Sequence, residues 1–460
     1  MSRRYCSFIL PLALTSWLLS ASGCFQAITL PTCDAPPDCP GGYVACDSGY
    51  CLRSSARCDV AGPVAGDGCC FVGSGERGGD TDCVGAAVDL EGVGFAGPAL
   101  DPVDGAAYVA TAVGSGDAQT VWLTRVERSG AVAWRVPVGE GFEGGPSAPV
   151  AFDAGVWVAF RDGARSFDRV GKERDVIAGR PAPGRLAVSG QGRLAWVTAD
   201  GGSLVVRASA TGSLEHAVAL SGGGGAPAAV GPVFATGGDQ VLLGHGGVLV
   251  RHSADDGSPA GEVSTFAGDV RALAVNAGRA YVLDGARRVG AFVLASGALP
   301  EAWAIDLDAD AVPALTVDEG GRLVLPMVGG GLRVLDDLGT SAAEHVLERG
   351  EGTGAHPVSL LADGWLVRVT SGGLAAGRLV GQGDQVRFEA LWTHHLGNGL
   401  VGSPLADPDG HLWVLDGAGR LGRLVSGASG PARSGWPTPA GAEGQGGIEA
   451  GVLIPDSKEE

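Results

Sequence analysis

Short apolar strands, separated by turns that contain glycine, recur along most of the chain. In each repeat a Gly turn is followed by β-branched and aromatic residues and then by another Gly or Asp turn. The seven steps from the first to the last repeat average about 44 residues, the length of a four-stranded antiparallel propeller blade. One apolar residue marks each repeat, and the eight markers are Tyr108, Trp157, Trp196, Leu242, Tyr281, Val324, Leu366 and Trp413.

The other strands of a blade are also visible around each marker. An apolar strand such as Leu273–Val275 precedes it, an alternating strand such as Val248–Arg251 follows it, and a segment such as Ala302–Ile305 supplies the outer strand. Ring closure usually borrows a strand from one terminus, so eight repeats predict seven or eight blades. The fold class is therefore an all-β, seven- or eight-bladed β-propeller over residues 86–440, followed by a flexible tail, 441–460.

One segment of the repeat region has two interpretations. Ser341 and Glu344 form a capping box that favours a helix over Ser341–Arg349. The register of the repeat requires an outer strand there, and we expect the strand.

The N-terminus carries an export signal. Arg3 and Arg4 precede the apolar run Phe8–Leu19, which is too short to span a bilayer, and Ala21–Cys24 follows. This arrangement resembles a bacterial lipoprotein signal, which implies removal of residues 1–23 and lipidation of Cys24. An ordinary secretory peptide is the alternative. Phe25 is not the Asp that resembles an inner-membrane retention signal, which favours the outer membrane.

Of the ten cysteines, Cys6 lies in the signal segment and Cys24 would carry the lipid, and the other eight all lie in residues 24–85. An even number of cysteines in a small, polar, exported segment predicts a disulfide-rich module. The segment has no CxxC pair and no His, which disfavours zinc. The adjacent residues Cys69 and Cys70 resemble the adjacent-cysteine disulfide of quinoprotein alcohol dehydrogenases, but they lie outside the repeats. We interpret them as members of two separate disulfides. The disulfide candidates are Cys33, Cys39, Cys46, Cys51, Cys58, Cys69, Cys70 and Cys83.

The composition of the chain excludes two classes of function and structure. A net charge of −19 leaves no basic excess for nucleic-acid binding, and 45% hydrophobic residues exclude a disordered chain.

Motifs of catalysis are missing from the sequence. It contains no GxSxG, HExxH or Walker loop, and the GxGxxG string Gly139–Gly144 has no following helix pattern and reads as a loop between blades. The adjacent His394 and His395 would point to opposite faces of a strand. The Asp pairs Asp101/Asp104 and Asp407/Asp409 are of a type that binds calcium, but each stands where a hairpin turn requires Asp-Gly. We therefore assign no catalytic, cofactor-binding or metal-binding residue.

Several segments resemble the repeats of pyrroloquinoline-quinone-type (PQQ-like) propellers. Gly97–Gly105 and Gly402–Gly410 look like repeat starts, and Ser434–Pro437 resembles their flanking Trp-Pro segment. Gly130–Trp134 matches a Gly-x-x-x-Trp element, which implies that the indole docks onto the next blade.

The predicted lipid anchor, the chain length and the repeat are together similar to those of the propeller lipoproteins of outer-membrane protein assembly. Those lipoproteins lack a disulfide-rich N-terminal module. The resemblance implies a non-enzymatic, lipid-anchored protein of the cell envelope, at the outer membrane and facing either the periplasm or the surface. It would bind a protein partner through a propeller face, and the long connections Val218–Pro232 and Arg349–Pro357 are expected to set specificity. A PQQ-dependent periplasmic dehydrogenase is the alternative, although no quinone or calcium ligands can be assigned.

Overall fold

The computed structural model describes residues 45–47, 50–52 and 84–425 of the 460-residue chain. The signal segment, Cys24, six of the eight disulfide candidates, the Trp-Pro segment and the tail lie outside the described residues. Within 84–425 the residues left out are 95–96, 115–118, 141–147, 162, 179–180, 190–192, 199–201, 209–213, 221–229, 236–238, 264–265, 277, 295–298, 319–320, 329–330, 337–340, 346–357, 362–364, 371–372, 381–386, 396–399 and 409.

Strands account for all the regular structure among these residues. The hairpin of β1 (Ala45–Asp47) and β2 (Tyr50–Leu52) places Cys46 opposite Cys51 in the backbone register. The pairing of the cysteines stays a prediction. The described residues include no helix long and apolar enough to cross a membrane.

Eight antiparallel sheets follow one another along the chain, and we number them as blades 1 to 8. Every blade begins with its inner strand, because the first strands of consecutive blades contact one another. The strands of blades 1 to 4 are β4 (Val93–Gly94), β5 (Ala99–Leu100), β6 (Ala107–Val113), β7 (Thr120–Val126) and β8 (Val132–Glu140); β9 (Val150–Phe152), β10 (Gly155–Phe160), β11 (Gly163–Phe167) and β12 (Glu173–Ala178); β13 (Pro181–Val188), β14 (Arg193–Thr198), β15 (Ser203–Ala208) and β16 (Leu214–Ala219); β17 (Val230–Ala235), β18 (Gln240–His245), β19 (Val248–Ser253) and β20 (Pro259–Val263).

Blades 5 to 8 repeat the same order of strands. They are β21 (Val270–Asn276), β22 (Arg279–Asp284), β23 (Arg288–Val293) and β24 (Glu301–Asp306); β25 (Thr316–Val317), β26 (Leu323–Pro326), β27 (Leu332–Leu335) and β28 (Ser341–His345); β29 (Val358–Leu360), β30 (Trp365–Thr370), β31 (Gly373–Val380) and β32 (Arg387–His395); β33 (Leu400–Ala406), β34 (His411–Asp416) and β35 (Arg420–Val425).

The last blade is completed by a strand from the other end of the propeller. Strand β3 (Val84–Asp89) pairs antiparallel with β35 and becomes the outer strand of blade 8. The amide of Leu90 extends this pairing by donating to the carbonyl oxygen of Gly419 at 2.9 Å. The ring therefore has eight blades, and the expectation of a borrowed closing strand is confirmed.

The eight marker residues are buried and occupy the second strand of their blade, where β4 and β5 of blade 1, which both pair with β6, count as one inner strand. Trp157 of blade 2, for example, shares a cluster with Leu186 and Trp196 of blade 3. Tyr108 of blade 1 likewise packs with Val158 of blade 2. The markers therefore hold neighbouring blades together by burying apolar area between sheets.

The hairpins use one recurring turn, which explains the Asp and Gly content. The amide of Gly321 donates to the carbonyl oxygen of Asp318, and Gly410 does the same to Asp407. Both glycines have positive φ, at 78° and 82°, a backbone conformation that glycine adopts more readily than other residues.

In the segment with two interpretations, the described residues Ser341–His345 form a strand. β28 pairs with β27, so the register of the blade outweighs the local capping box at Ser341. A lone helix there would have left the outer edge of β27 unpaired.

Candidate interaction surface

Three turns of blades 1 and 2 lie at the same end of the propeller. They are the first turn of blade 1, Asp101–Gly105, its third turn, Glu127–Gly130, and the third turn of blade 2, Asp168–Gly171. First and third turns of an antiparallel four-stranded sheet face the same way. Side chains from these turns meet around one buried carboxylate.

That carboxylate belongs to Asp101, whose side chain is fully buried. Its Oδ1 accepts a hydrogen bond from the amide of Val103 at 3.0 Å. Its Oδ2 accepts from Tyr108 Oη and from Arg169 Nε, both at 2.8 Å. A buried charge needs such donors to offset its lost hydration. Because Arg169 belongs to blade 2, the group also links two blades.

A second arginine extends the network to the surface. Arg125 Nη2 lies 3.8 Å from Asp101 Oδ2, and its guanidinium forms ion pairs with Asp104 and Glu127. It also lies over the ring of Tyr108, 5.8 Å from the centroid.

The phenol at the centre of this network stays protonated. Burial raises the pKa of Tyr108 well above its usual value, and the negative charge of Asp101 raises it further. Tyr108 is thus a hydrogen-bond donor to Asp101 rather than a group that exchanges protons at neutral pH.

An indole fixes the outer part of the same interface. Trp134 Nε1 donates to the carbonyl oxygen of Arg169 at 2.8 Å. Gly171 packs so closely that a Cβ there would lie 2.8 Å from the Trp134 ring. The indole of blade 1 thus contacts blade 2, as the Gly-x-x-x-Trp element implies; assignment of the repeats to the PQQ-like class stays a prediction.

Three exposed valines lie in these turns or directly after them, and we call them the valine patch: Val103, Val132 and Val170. Val170 is 78% exposed and Val103 is 61% exposed, although each stands in a turn held by hydrogen bonds. They are half of the six large hydrophobic side chains that are exposed among the described residues. Exposed apolar groups on a rigid base are typical of protein-contact surfaces.

Blade 8 contains a related network. Asp407, also fully buried, accepts hydrogen bonds from Arg423 Nε at 2.7 Å and from the amide of His411 at 3.0 Å. Burial raises the pKa of this carboxyl group, but the bonds from His411 and Arg423 outweigh burial and leave the pKa below its usual value. Asp407 is therefore ionised in the folded protein at neutral pH.

The two Asp segments that resemble calcium ligands form turns. Gly105 and Gly410 donate to the carbonyl oxygens of Asp101 and Asp407, while both carboxylates point inward to N–H and O–H donors. No group of three or more His, Cys, Asp or Glu side chains in the described parts of the chain is arranged to hold a metal. His394 and His395 end β32, where only the backbone is described.

Sequence analysis did not find the arginines of these networks. A signal was present: Asp101 and Asp407 precede the markers Tyr108 and Trp413, and each marker stands opposite an arginine of the third strand, Arg125 or Arg423. Arg169 had no such signal, since it reaches Asp101 from another blade. The predicted specificity loops lie for the most part outside the described residues.

Comparison with known proteins supports the fold. BamB from Moraxella catarrhalis matches with 14% identity and a TM-score of 0.56, over 74% of this chain and 98% of that one. The computationally designed Ika8 protein matches with 15% identity and a TM-score of 0.57, and the C-terminal WD40 domain of Sif2 with 9% and 0.57; each match covers 74% of this chain and 99% of the other. No protein-family model and no curated protein matches by sequence. The class defined by fold and comparison is the eight-bladed β-propeller.

Proposed function

We propose that the chain is a lipid-anchored protein of the bacterial outer membrane whose propeller is a non-catalytic scaffold that binds a protein partner. The observation that carries the proposal is the valine patch, because it offers exposed apolar contacts on turns fixed by a buried ion-pair network. The fold is similar to that of BamB, an outer-membrane assembly lipoprotein, and Cys24 would supply the anchor.

The chemistry of the same turns supports binding rather than catalysis. The carboxylate of Asp101 is occupied by three donors, and the phenol of Tyr108 is held in its protonated form. These groups stabilise the surface beneath the valines. Association needs such rigidity, because ordering mobile turns on binding would cost free energy.

A photocrosslinking experiment tests the binding surface. The photoreactive amino acid benzoylphenylalanine replaces Val170, and in a matched strain it replaces Val328, which is 55% exposed in the second turn of blade 6, at the opposite end of the propeller. We expect a discrete adduct from position 170 that is missing from position 328. The same adducts from both positions, or none from position 170, would contradict the proposal.

The anchor needs a separate test. Cys24→Ala should abolish incorporation of an alkyne-labelled fatty acid and release the chain from the membrane fraction. Protease treatment of intact and lysed cells then distinguishes a surface-facing propeller from a periplasmic one. Retention of the label in the Cys24→Ala chain would refute lipidation at this residue.

A further inference from the structure

The third turn of blade 4 packs against the outer strand of blade 3. This turn, Ser253–Ser258, joins β19 to β20 and is closed by a backbone hydrogen bond between its end residues. A Cβ at Gly257 would lie 2.5 Å from Cδ2 of His216 and 2.6 Å from Cγ2 of Val218, both in β16. The turn and β16 are therefore in direct contact, and we call this contact the seam between blades 3 and 4.

One histidine of the seam has unpaired ring nitrogens. Nδ1 and Nε2 of His216 are both buried, and neither has a hydrogen-bond partner among the described residues. Protonation would give this ring a positive charge and a second N–H, for which the described residues offer no acceptor. Buried polar groups without partners cost free energy.

A second histidine holds the turn from within blade 4. His252 of β19 is only 7% exposed, and its Nδ1 lies 3.1 Å from the carbonyl oxygen of Gly257, so this nitrogen carries the hydrogen. Burial lowers the pKa of His252, the bond to Gly257 opposes that shift, and nearby His216 lowers the pKa further. Gly257 thus contacts both imidazole rings, one through its carbonyl oxygen and one through its Cα.

The charged groups around the two rings do not offset a proton on them. No carboxylate in the described parts of the chain forms a hydrogen bond or an ion pair with either ring. The acidic side chains of the turn and of β20 are exposed, so water screens their charges. The titratable and charged groups of both blades at the seam are Arg193 and Asp255, which form an ion pair between the blades, Asp256, which accepts hydrogen bonds from Ser258, Asp239 in the first turn of blade 4, Glu262 on β20, His245 at the far end of β18, and Glu215 next to His216 in β16.

We propose that the seam between blades 3 and 4 is an acid-sensitive contact, in which protonation of His252 beside His216 releases the turn Ser253–Ser258 from β16. Release would expose the face around Val218 and Val250, which pack on the apolar cluster between the two blades. The inference is independent of the proposed scaffold function, because it concerns other blades than the valine patch.

Acid should weaken the seam over the range in which histidine titrates. The pKa of His252 in the closed seam is below its usual value of 6.5, so the open seam binds more protons at mildly acidic pH. The contribution of His252 is therefore fully present above about pH 6.5 and is lost as pH falls through this value toward the lowered pKa.

Hydrogen–deuterium exchange of the full-length protein tests the seam, with labelling times scaled for the slower chemical exchange at low pH. The amides of Ser253 and Gly257, which form the backbone hydrogen bonds of the turn, report on its release. Their protection should fall several-fold between about pH 7.5 and about pH 5.5, while peptides from blade 8 keep theirs. Unchanged protection of the turn would overturn the proposal. So would an equal loss in blade 8, because the whole propeller would then be loosening in acid.

Histidine variants assign the effect. His252→Asn keeps a donor near the carbonyl oxygen of Gly257 but does not titrate, so acid should no longer lower the protection of the turn. His411→Asn, the matched control, removes a histidine of blade 8 and should leave the acid response of the turn unchanged. If His252→Asn does not fold, His216→Phe decides instead, because loss of the neighbouring imidazole should reduce the response. An acid response that stays the same in folded His252→Asn or His216→Phe protein would overturn the proposal.

Discussion

The first turns of blade 1 and blade 8 use the same buried group but differ in what they support. In both, an Asp ends the inner strand and meets an arginine of the third strand, Arg125 or Arg423. The described hydrogen bonds to the Asp407 carboxylate come from Arg423 and His411 of its own blade, whereas the Asp101 carboxylate also accepts one from Arg169 of blade 2.

The two turns also differ in length. Gly410 follows Asp407 by three residues, while Gly105 follows Asp101 by four, and the longer turn presents Val103 to solvent. The comparison suggests that blade 8 uses the group to hold a hairpin, and that blade 1 uses it to carry a contact surface across two blades.

Loss of the shared carboxylate in blade 1 should have the largest effect. Asp101→Ala leaves Tyr108 and Arg169 without their common acceptor and removes the negative charge 3.8 Å from Arg125, so the free energy of unfolding should fall by about 3–5 kcal/mol. Urea denaturation measures the change. Asp101→Asn keeps an oxygen for the Val103 amide and should lose less. A loss below about 1 kcal/mol in the Ala variant would mean that the network does not hold the two blades.

The contribution of the Asp407 carboxylate of blade 8 to the free energy of unfolding should depend on pH. The folded-state pKa of Asp407 is below its usual value, so its contribution is present above the unfolded pKa of about 3.9 and is lost as pH falls through the folded pKa. Asp407→Asn should cost about 2 kcal/mol at pH 7, where a charge-assisted hydrogen bond is lost.

The difference in stability between wild type and Asp407→Asn should therefore shrink on acidification below about pH 4. Thermal unfolding of both proteins across pH 3–7 follows it. A difference that stays constant over this range would show that ionised Asp407 is not what holds the turn.

The indole between blades 1 and 2 should contribute less. Trp134→Phe removes the hydrogen bond to Arg169 but keeps an aromatic ring near Tyr108, and we expect a loss of about 1 kcal/mol. Trp134→Leu should lose more, because ring contacts go as well. Equal stability of the Phe variant and wild type in urea would show that the hydrogen bond from Trp134 to Arg169 does not stabilise the contact between blades 1 and 2.

Much of the architecture was predictable because it follows from local pattern. The period of the markers, the alternation of the strands and the Asp-Gly turns each depend on residues close in sequence. The outer strand at Ser341 was also predicted, but only because the repeat register was given more weight than the capping box.

The candidate sites were harder to predict from the sequence, because they form between sheets. Asp101 and Arg169 are separated by 68 positions in the chain, and nothing local to either residue indicates the other. Trp157 and Trp196 likewise become neighbours only when blades 2 and 3 pack together. The alternation of residues along a strand predicts which face of the sheet a side chain occupies. It does not predict which residues of the neighbouring sheet that side chain contacts.

The smallest effect on stability should come from the residue that matters most for the proposed binding. Val170→Ser changes a side chain that is 78% exposed, so the free energy of unfolding should stay within about 0.5 kcal/mol of wild type. Val158→Ser, in the buried second strand of blade 2, is the contrasting control and should lose several times more, because it places a hydroxyl in an apolar cluster. With benzoylphenylalanine at position 103, the adduct expected from blade 1 should weaken when Val170→Ser is added, since both valines would contact one partner. An unchanged adduct in a stable Val170→Ser protein would restrict the contact surface to blade 1 and would remove the cross-blade role that distinguishes Asp101 from Asp407.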